Sequence, residues 1–559
     1  MLAERVMKLF GDKALEIIDL HPERLLEVPG IGSRKLEEIR EAWQKKRSVR
    51  EVMLFFQNHG ISINLAQRIF NAYGERAIEV VTRNPYLLAR DVWGIGFQTA
   101  DAIARALGTD PKARERIIAG ISYVLQQASD DGHCFLPRDV LLTKTASLLV
   151  LDEEELLSSA LADAELRADV VREDTRIYLP SLWQAETQLA HCIAERLRSC
   201  ARPLPAIAAK FVHSVCEQAQ LGHAPSGAAP SPGNRDAVIR LSEQQKQAVH
   251  LAADSSMIIV TGGPGCGKTT VVRVMAQMLR KAGLQVKLCA PTGRAAQRLA
   301  ELCGMPASTI HRLLKYDPVA RGFQHDPNNL LPLQALIVDE CSMIDVPLAA
   351  ALLRAVPPSA RIILVGDADQ LPSVGPGLFF NDLLDVQQIP RVRLTVLFRR
   401  AEESLITSIA HQINSAVVPE IPEPDGATKS DAYFLPASDA ENAAALVERL
   451  VVEQIPKKFG FRGTDITVLT PVNQGVLGVQ ALNRRLQERL VPPLPGLPRV
   501  TVGELELRHG DRVIQRVNNY NIHPAGVFNG DQGEVVGVDA ESRSIFIRLW
   551  DGHEIQYDA

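Results

Sequence analysis

Residues 262–270, GGPGCGKTT, constrain this chain more than any other stretch. They fit the phosphate-cradling pattern G-x-x-x-x-G-K-S/T, and their flanks fit as well. Residues 257–261 (MIIVT) are a short apolar run of the buried-strand type. Residues 270–280 carry Val271, Val274 and Met278 at helical spacing. A strand, a glycine-rich turn and a helix in that order make a loop whose N–H groups converge on a phosphate. The helix N-terminus adds its dipole at the same point. Lys268 is placed to reach the β/γ-phosphates and Thr269 to ligate Mg²⁺. Gly263, Pro264, Gly265, Cys266, Gly267 and Thr270 complete the expected wrap around ATP.

A second phosphate-site element follows another apolar run. In LIVDECSM (residues 336–343), Asp339 is placed to hold Mg²⁺ through water, and Glu340 to orient and deprotonate an attacking water. A third run ends in VGDADQLPSVG (365–375), where Gln370 is a candidate sensor of the γ-phosphate. Upstream, LSEQQKQAV (241–249) reads as a short helix. A glutamine amide there offers the adenine edge a donor and an acceptor together, and Gln245 is preferred over Gln244. Cys266, at a helix N-terminus beside Lys268, sits where a thiol pKa is expected to fall.

At 559 residues the chain has room for about three to five domains. Residues 1–110 are helical in pattern and punctuated by Gly turns, and 111–185 form a compact helical segment ending in a candidate wing strand (TRIYLP). Residues 186–236 read as further helices and a linker, GHAPSGAAPSPGNRD, rich in Gly, Pro, Ser and Ala. Strands and helices then alternate, with strands expected at 257–261, 286–290, 336–338, 362–365 and 466–470. That rhythm predicts a parallel α/β sheet with ligands at the strand C-termini. The eight cysteines form no C-x-x-C pair, so neither zinc nor disulfides are expected and a reducing cytoplasm fits. No apolar run is long enough for a membrane span. A net charge of −5 argues against a uniformly basic nucleic-acid binder and is compatible with local basic grooves.

Two turns, Pro29-Gly30-Ile31-Gly32 and Trp93-Gly94-Ile95-Gly96, lie between helical runs, with a weaker one at His59-Gly60-Ile61. Each Gly-apolar-Gly turn exposes N–H groups at a helix start, suited to one DNA phosphate. Gly30, Gly32, Gly94 and Gly96 are therefore candidate DNA contacts, alongside the readings of a structural turn or a protein-docking surface.

GGPGCGKTT, APTGRAA (290–296), STIHRLL (308–314), VDECSM, GDADQLPSVG and LTVLFRR (394–400) together resemble the superfamily 1 DNA helicases, and more narrowly the stand-alone RecD-like helicases. The resemblance implies a multidomain α/β protein. An all-helical helix-hairpin-helix region (1–110) and a winged-helix-like region (111–185) would precede a RecA-like motor domain (237–390). An incomplete second motor domain (391–500) and a small β-barrel insert (501–559) would follow. It implies ATP-driven 5′-to-3′ movement on single-stranded DNA, binding to DNA junctions, and work in recombination or repair. Lys268, Thr269, Asp339, Glu340 and Gln370 take the roles given above. Arg399 matches the arginine that reaches the γ-phosphate from the second motor domain, whereas Arg400 replaces an expected glutamine and Cys266 a more usual Thr. Thr292, Arg294 and His311 are placed along the DNA track, with packing left open for His311. Residues 315–332 resemble a duplex-splitting hairpin. The usual leading β domain and two late segments (T-x-H-x-x-Q-G and Y-T-A-x-T-R in type) have no counterpart here. The expectation is therefore an incomplete helicase, or else an ATP- and DNA-binding protein without productive unwinding.

Overall fold

The computed structural model describes, with short interruptions, residues 51–199, 241–396, 404–493 and 498–558, and scattered residues before 51 and between 200 and 240. Arg399, Arg400, Pro29, Arg34, Trp93 and the linker at 222–236 lie outside the described residues. The chain divides into two compact units, Met1–Trp183 and Gln184–Ala559.

In the first unit, short helices are joined by glycine turns. Ile63–Tyr73 buries Ala66 and Ile69, and Phe97–Ala106 buries Phe97, Ala100 and Ile103. The turns at Gly30 and Gly94 share one construction. Ile31 N donates to Val28 O and Ile95 N to Val92 O, both at 3.1 Å, and both isoleucines are buried. The central glycines have φ of 99° and 77°, a region where a Cβ would clash with its own backbone. The turn at Gly60 differs: Ile61 N reaches back to Phe56 O.

Next come Arg114–Asp130, the strand Phe135–Pro137, the helices Arg138–Leu149 and Glu154–Leu166, and the strands Val171–Glu173 and Arg176–Tyr178. The three strands form an antiparallel sheet with Arg176–Tyr178 in the middle, the order and pairing of a winged helix. A buried ion pair joins this module to the helical turns before it. Arg116 is 3% exposed and grips Asp101 with Nε–Oδ1 at 2.8 Å and Nη2–Oδ2 at 3.2 Å. The Tyr86 hydroxyl donates to the same carboxylate at 2.9 Å.

The second unit is built on a six-stranded parallel sheet. Its spatial order is Arg391–Leu394, Met257–Gly262, Arg361–Gly366, Ala335–Val338, Val286–Ala290, Ala307–Thr309. The three strands after the edge strand Arg391–Leu394 are buried along their whole length, as expected where helices cover both faces. Lys268–Lys281 lays Val271, Val274, Met275 and Met278 on this core. The helix Glu243–Asp254 opens with a reciprocal cap: Ser242 Oγ accepts from Gln245 N and Gln245 Oε1 accepts from Ser242 N. Arg196, on the helix Pro180–Arg198, closes the C-terminal end of the helix Val346–Ala355. It donates to the carbonyls of Leu353, Val356, Pro357 and Ala360 at 2.6–3.3 Å. Burial without a carboxylate pulls this guanidinium down to about 10.

The C-terminal part is a small antiparallel β domain. Arg512–Ile514, Gln532–Asp539, Ser544–Leu549 and Glu554–Asp558 form a meander, beside the hairpin Arg499–Val502/Leu505–Arg508. Val500, Val535, Ile545, Ile547 and Ile555 fill its core.

One expected strand is corrected. Residues 466–470 form no ladder, and Leu469 is 91% exposed. An extended segment becomes a strand only when neighbours take its backbone hydrogen bonds, and no described strand lies between Leu394 and Arg499.

Candidate active site

The loop after Met257–Gly262 takes the shape its glycines allow. Gly265 and Gly267 have φ of 81° and 75°. A Cβ on Gly262 would stand 2.6 Å from Leu394 O on the neighbouring strand, so this position too excludes a side chain. Lys268 begins the following helix. Its ammonium donates to Gly262 O and to Gly263 O (3.2 Å) and lies 3.7 Å from Asp367 Oδ2. The cation is thus held over the loop by two carbonyls and one buried carboxylate, all weaker partners than a phosphate.

Two expectations about this loop are corrected. Gln245 is fully buried, and its amide is spent: Oε1 on Ser242 N, Nε2 on Cys266 O (3.3 Å) and Gly267 O (3.4 Å). It holds the loop from beneath and does not face an adenine. Gln244 is spent as well, exchanging two hydrogen bonds with Thr395. Cys266 is 3% exposed. Burial pushes its thiol up, outweighing the downward pull of Lys268, so it is not the activated thiol its position suggests.

The carboxylates come from adjacent strand ends. Asp339 follows Ala335–Val338, and its backbone N–H donates to Cys289 O at 3.0 Å. Its Oδ1 accepts from Glu340 N at 2.9 Å. Glu340 sits at φ 53°, a left-handed conformation that an L-residue keeps only under constraint and that turns its side chain out of the strand direction. Burial raises the Asp339 pKa; burial and then the Asp339 charge raise that of Glu340. Gln370 Nε2 donates to Asp367 Oδ2 at 3.4 Å, so Asp367 ties Gln370 to Lys268. Asp367 is a residue of this site that the sequence did not single out. The signal was its place directly after Gly366, where the strand ends.

Asp339 and Glu340 are half-buried carboxylates whose pKa values burial raises, a set of hard oxygen donors short of positive charge. That set fits Mg²⁺. The cost of this charge predicts a trade. A carboxyl whose folded pKa is raised destabilises the fold above that pKa and not below its unfolded value. Asp339→Asn is therefore expected to raise the melting temperature of the metal-free protein by about 2 °C at neutral pH. The gain should vanish as pH falls towards the ordinary 3.8. Calorimetry in chelator at several pH values checks it.

Along the expected DNA track, Thr292 caps the helix Gly293–Cys303 by accepting from Ala295 N, and Arg294 is exposed at its start. A Cβ on Gly293 would stand 2.5 Å from Asp531 Oδ1 of the small β domain, so a carboxylate lines this turn. For His311 the structure gives the packing reading. Its ring packs with Phe323 (5.7 Å) and Tyr316 (6.3 Å), and burial lowers its pKa. Those two aromatics are one cross-strand pair of the hairpin Tyr316–Asp317/Gly322–Phe323. His311 is half-buried and props this hairpin. In the first unit, Arg68 Nη1 lies 2.6 Å from where a Gly94 Cβ would be, which sets a cation over that turn. Gly32 and Gly96 have open space at the Cβ position.

Comparison with known proteins bears on this arrangement. A model described as the ATP-dependent RecD2 DNA helicase HHH domain matches residues 45–135, an AAA domain model matches 245–376, and an ATP-dependent RecD-like DNA helicase SH3 domain model matches 482–549. The ATP-dependent RecD2 DNA helicase of Deinococcus radiodurans is 35% identical over 549 residues, spanning 96% of this chain and 70% of that one. The chain belongs to the RecD2 helicase family. The RecBCD enzyme subunit RecD of Mycobacterium tuberculosis is 43% identical over 166 residues, 26% of this chain and 29% of that protein. The ATP-dependent DNA helicase dda of phage T4 is 34% identical over 148 residues, 24% of this chain and 34% of that one. The fold is accordingly a helix-hairpin-helix region, a P-loop helicase motor and an SH3-like β domain. No helix among the described residues is long and apolar enough to cross a membrane.

Proposed function

We propose that this chain couples Mg·ATP hydrolysis to 5′-to-3′ movement along single-stranded DNA, separating duplex strands at the hairpin propped by His311. The observation that carries this reading is the meeting of Lys268, Asp339, Glu340 and Asp367–Gln370 at three neighbouring strand ends. In it, Lys268 leaves the Gly262 and Gly263 carbonyls for the β/γ-phosphates. Thr269 and Asp339 hold Mg²⁺, which when bound supplies charge neutralisation for the phosphates. Glu340 accepts a proton from the attacking water, Gln370 senses the terminal phosphate, and Arg399 completes the site from the second motor segment. The Gly263–Thr270 backbone wraps the phosphates. Thr292 and Arg294 suit phosphate contact without base reading. The turns at Gly30–Gly32 and Gly94–Gly96 suit duplex or junction phosphates, which fits a role in recombination or repair. The six described cysteines form no disulfide with one another, which suits a cytoplasmic protein.

Lys268→Ala tests the loop. Charge-assisted contacts to phosphate are worth roughly 1.5–3 kcal/mol, so affinity for nucleotide is expected to fall about tenfold or more. Equal affinities in a nucleotide titration reject the assignment. Displacement of streptavidin from 5′- and 3′-biotinylated oligonucleotides tests direction; loss from the 5′ end rejects 5′-to-3′ movement. One observation favours the second reading, binding without productive unwinding: the described residues between Leu394 and Arg499 form no sheet to carry Arg399. ATP hydrolysis without strand displacement would select it.

A further inference from the structure

His411 lies on the helix Leu405–Asn414. A Cβ on Gly263 would stand 3.3 Å from its Cε1 and 3.8 Å from its Nε2, so the imidazole rests against the phosphate loop. Gly263 has no positive φ that would demand glycine. What would crowd a side chain there is the His411 ring. The ring is exposed, and among the described residues it has no hydrogen-bond or ionic partner. The helix that carries it is anchored at its start. Ser404 Oγ caps Thr407 N, the Asp431 carboxylate accepts from Ser404 Oγ at 2.6 Å and from Leu405 N at 2.9 Å, and Thr407 is buried.

Lys268 defines which end of a nucleotide His411 would meet. Its ammonium rests on Gly263 O, the carbonyl of the residue that the imidazole touches. Lys268 in such loops reaches the β/γ-phosphates. A phosphate that drew the ammonium off Gly263 O would lie beside the residue that His411 touches. Both glutamines upstream of the loop are already committed, which leaves His411 as a polar side chain free at this edge.

We propose that His411 is a nucleotide-contacting residue whose Nε2 donates to the terminal phosphate of a bound nucleoside triphosphate, so that the loop distinguishes triphosphate from diphosphate. This rests on the reading of Gly262–Thr270 as the ATP site. The test is equilibrium titration of the full chain with ADP and with a non-hydrolysable ATP analogue. Wild type, His411→Ala, His411→Gln and Lys268→Ala are compared. His411→Ala is expected to weaken the analogue roughly tenfold, the size of one hydrogen bond to a charged group, and to leave ADP unchanged. His411→Gln, which keeps a donor, should recover most of that loss. Equal losses for both nucleotides, no loss, or tighter binding would overturn the proposal; tighter binding would mean that the ring merely shuts the loop. Lys268→Ala must weaken both nucleotides. If it weakens neither, the loop assignment falls and the proposal with it. If it weakens both while His411→Ala changes nothing, only the histidine is wrong.

Discussion

Glu340→Gln is expected to lower single-stranded-DNA-stimulated ATP hydrolysis by about 10²–10⁴, the range for losing a positioned general base. Nucleotide affinity should be unchanged, because the amide keeps the shape of the carboxylate and Lys268 still meets the phosphates. The side chain is aimed by an unusual backbone: φ 53° at Glu340, held by Asp339 Oδ1 on its N–H. Its pKa is raised by burial and by Asp339, and a base works only when deprotonated. The wild-type rate should therefore begin to fall with decreasing pH above the ordinary glutamate value of 4.5. Phosphate release and nucleotide titration on the same preparations separate the two effects. A variant that hydrolyses at the wild-type rate would remove Glu340 from the mechanism.

The largest expected effect on stability lies far from the nucleotide. Asp101→Ala leaves the buried Arg116 guanidinium facing Pro111 O and Leu149 O with no carboxylate. Removing one partner of a buried pair costs about 3–5 kcal/mol, so the unit Met1–Trp183 is expected to melt roughly 10 °C lower. Burial alone would push the Asp101 carboxyl up; hydrogen bonds from Arg116 and Tyr86 outweigh it and hold it below 3.8. The stability it contributes is thus present above pH 3.8 and lost as pH falls towards the lower, folded value. Calorimetry of the full chain checks both statements. A double change to Leu at Asp101 and Met at Arg116 should recover much of the loss, since it removes both charges together. An Asp101→Ala protein that melts with the wild type would show that the pair is neutral.

Much of the motor was legible because its signals are local. The loop, its strand and its helix are contiguous, and three glycines there have no alternative. The strands ending at Val338 and Gly366 are unbroken apolar runs. Two further strands escaped. Ala307–Thr309 is too short to show a period, and in Arg391–Leu394 cations alternate with apolar residues, which reads as surface. The apolar text at 466–470 misled because a strand is made by its neighbours. Gln245 shows two readings of one pattern: Ser242 with a glutamine three residues on is itself a capping signature. Only burial decides between cap and base contact. Cys266 failed for a related reason, since its helix N-terminus is visible in sequence and its enclosure is not. His311 needed Tyr316 and Phe323, which a hairpin brings back to it. Asp367 announces itself only by following the strand end at Gly366, and its link to Lys268 is made through space; His411 reaches Gly263 through space with no spacing in the chain to mark it.

Lys268 is expected to sit in an ATP site that DNA drives. The most direct measurement is the ATP hydrolysis rate with and without single-stranded DNA, for wild type and Lys268→Ala at equal concentration. The predicted result is hydrolysis that rises on adding DNA in the wild type and is absent in Lys268→Ala under both conditions. Hydrolysis indifferent to DNA, or retained without Lys268, would contradict it.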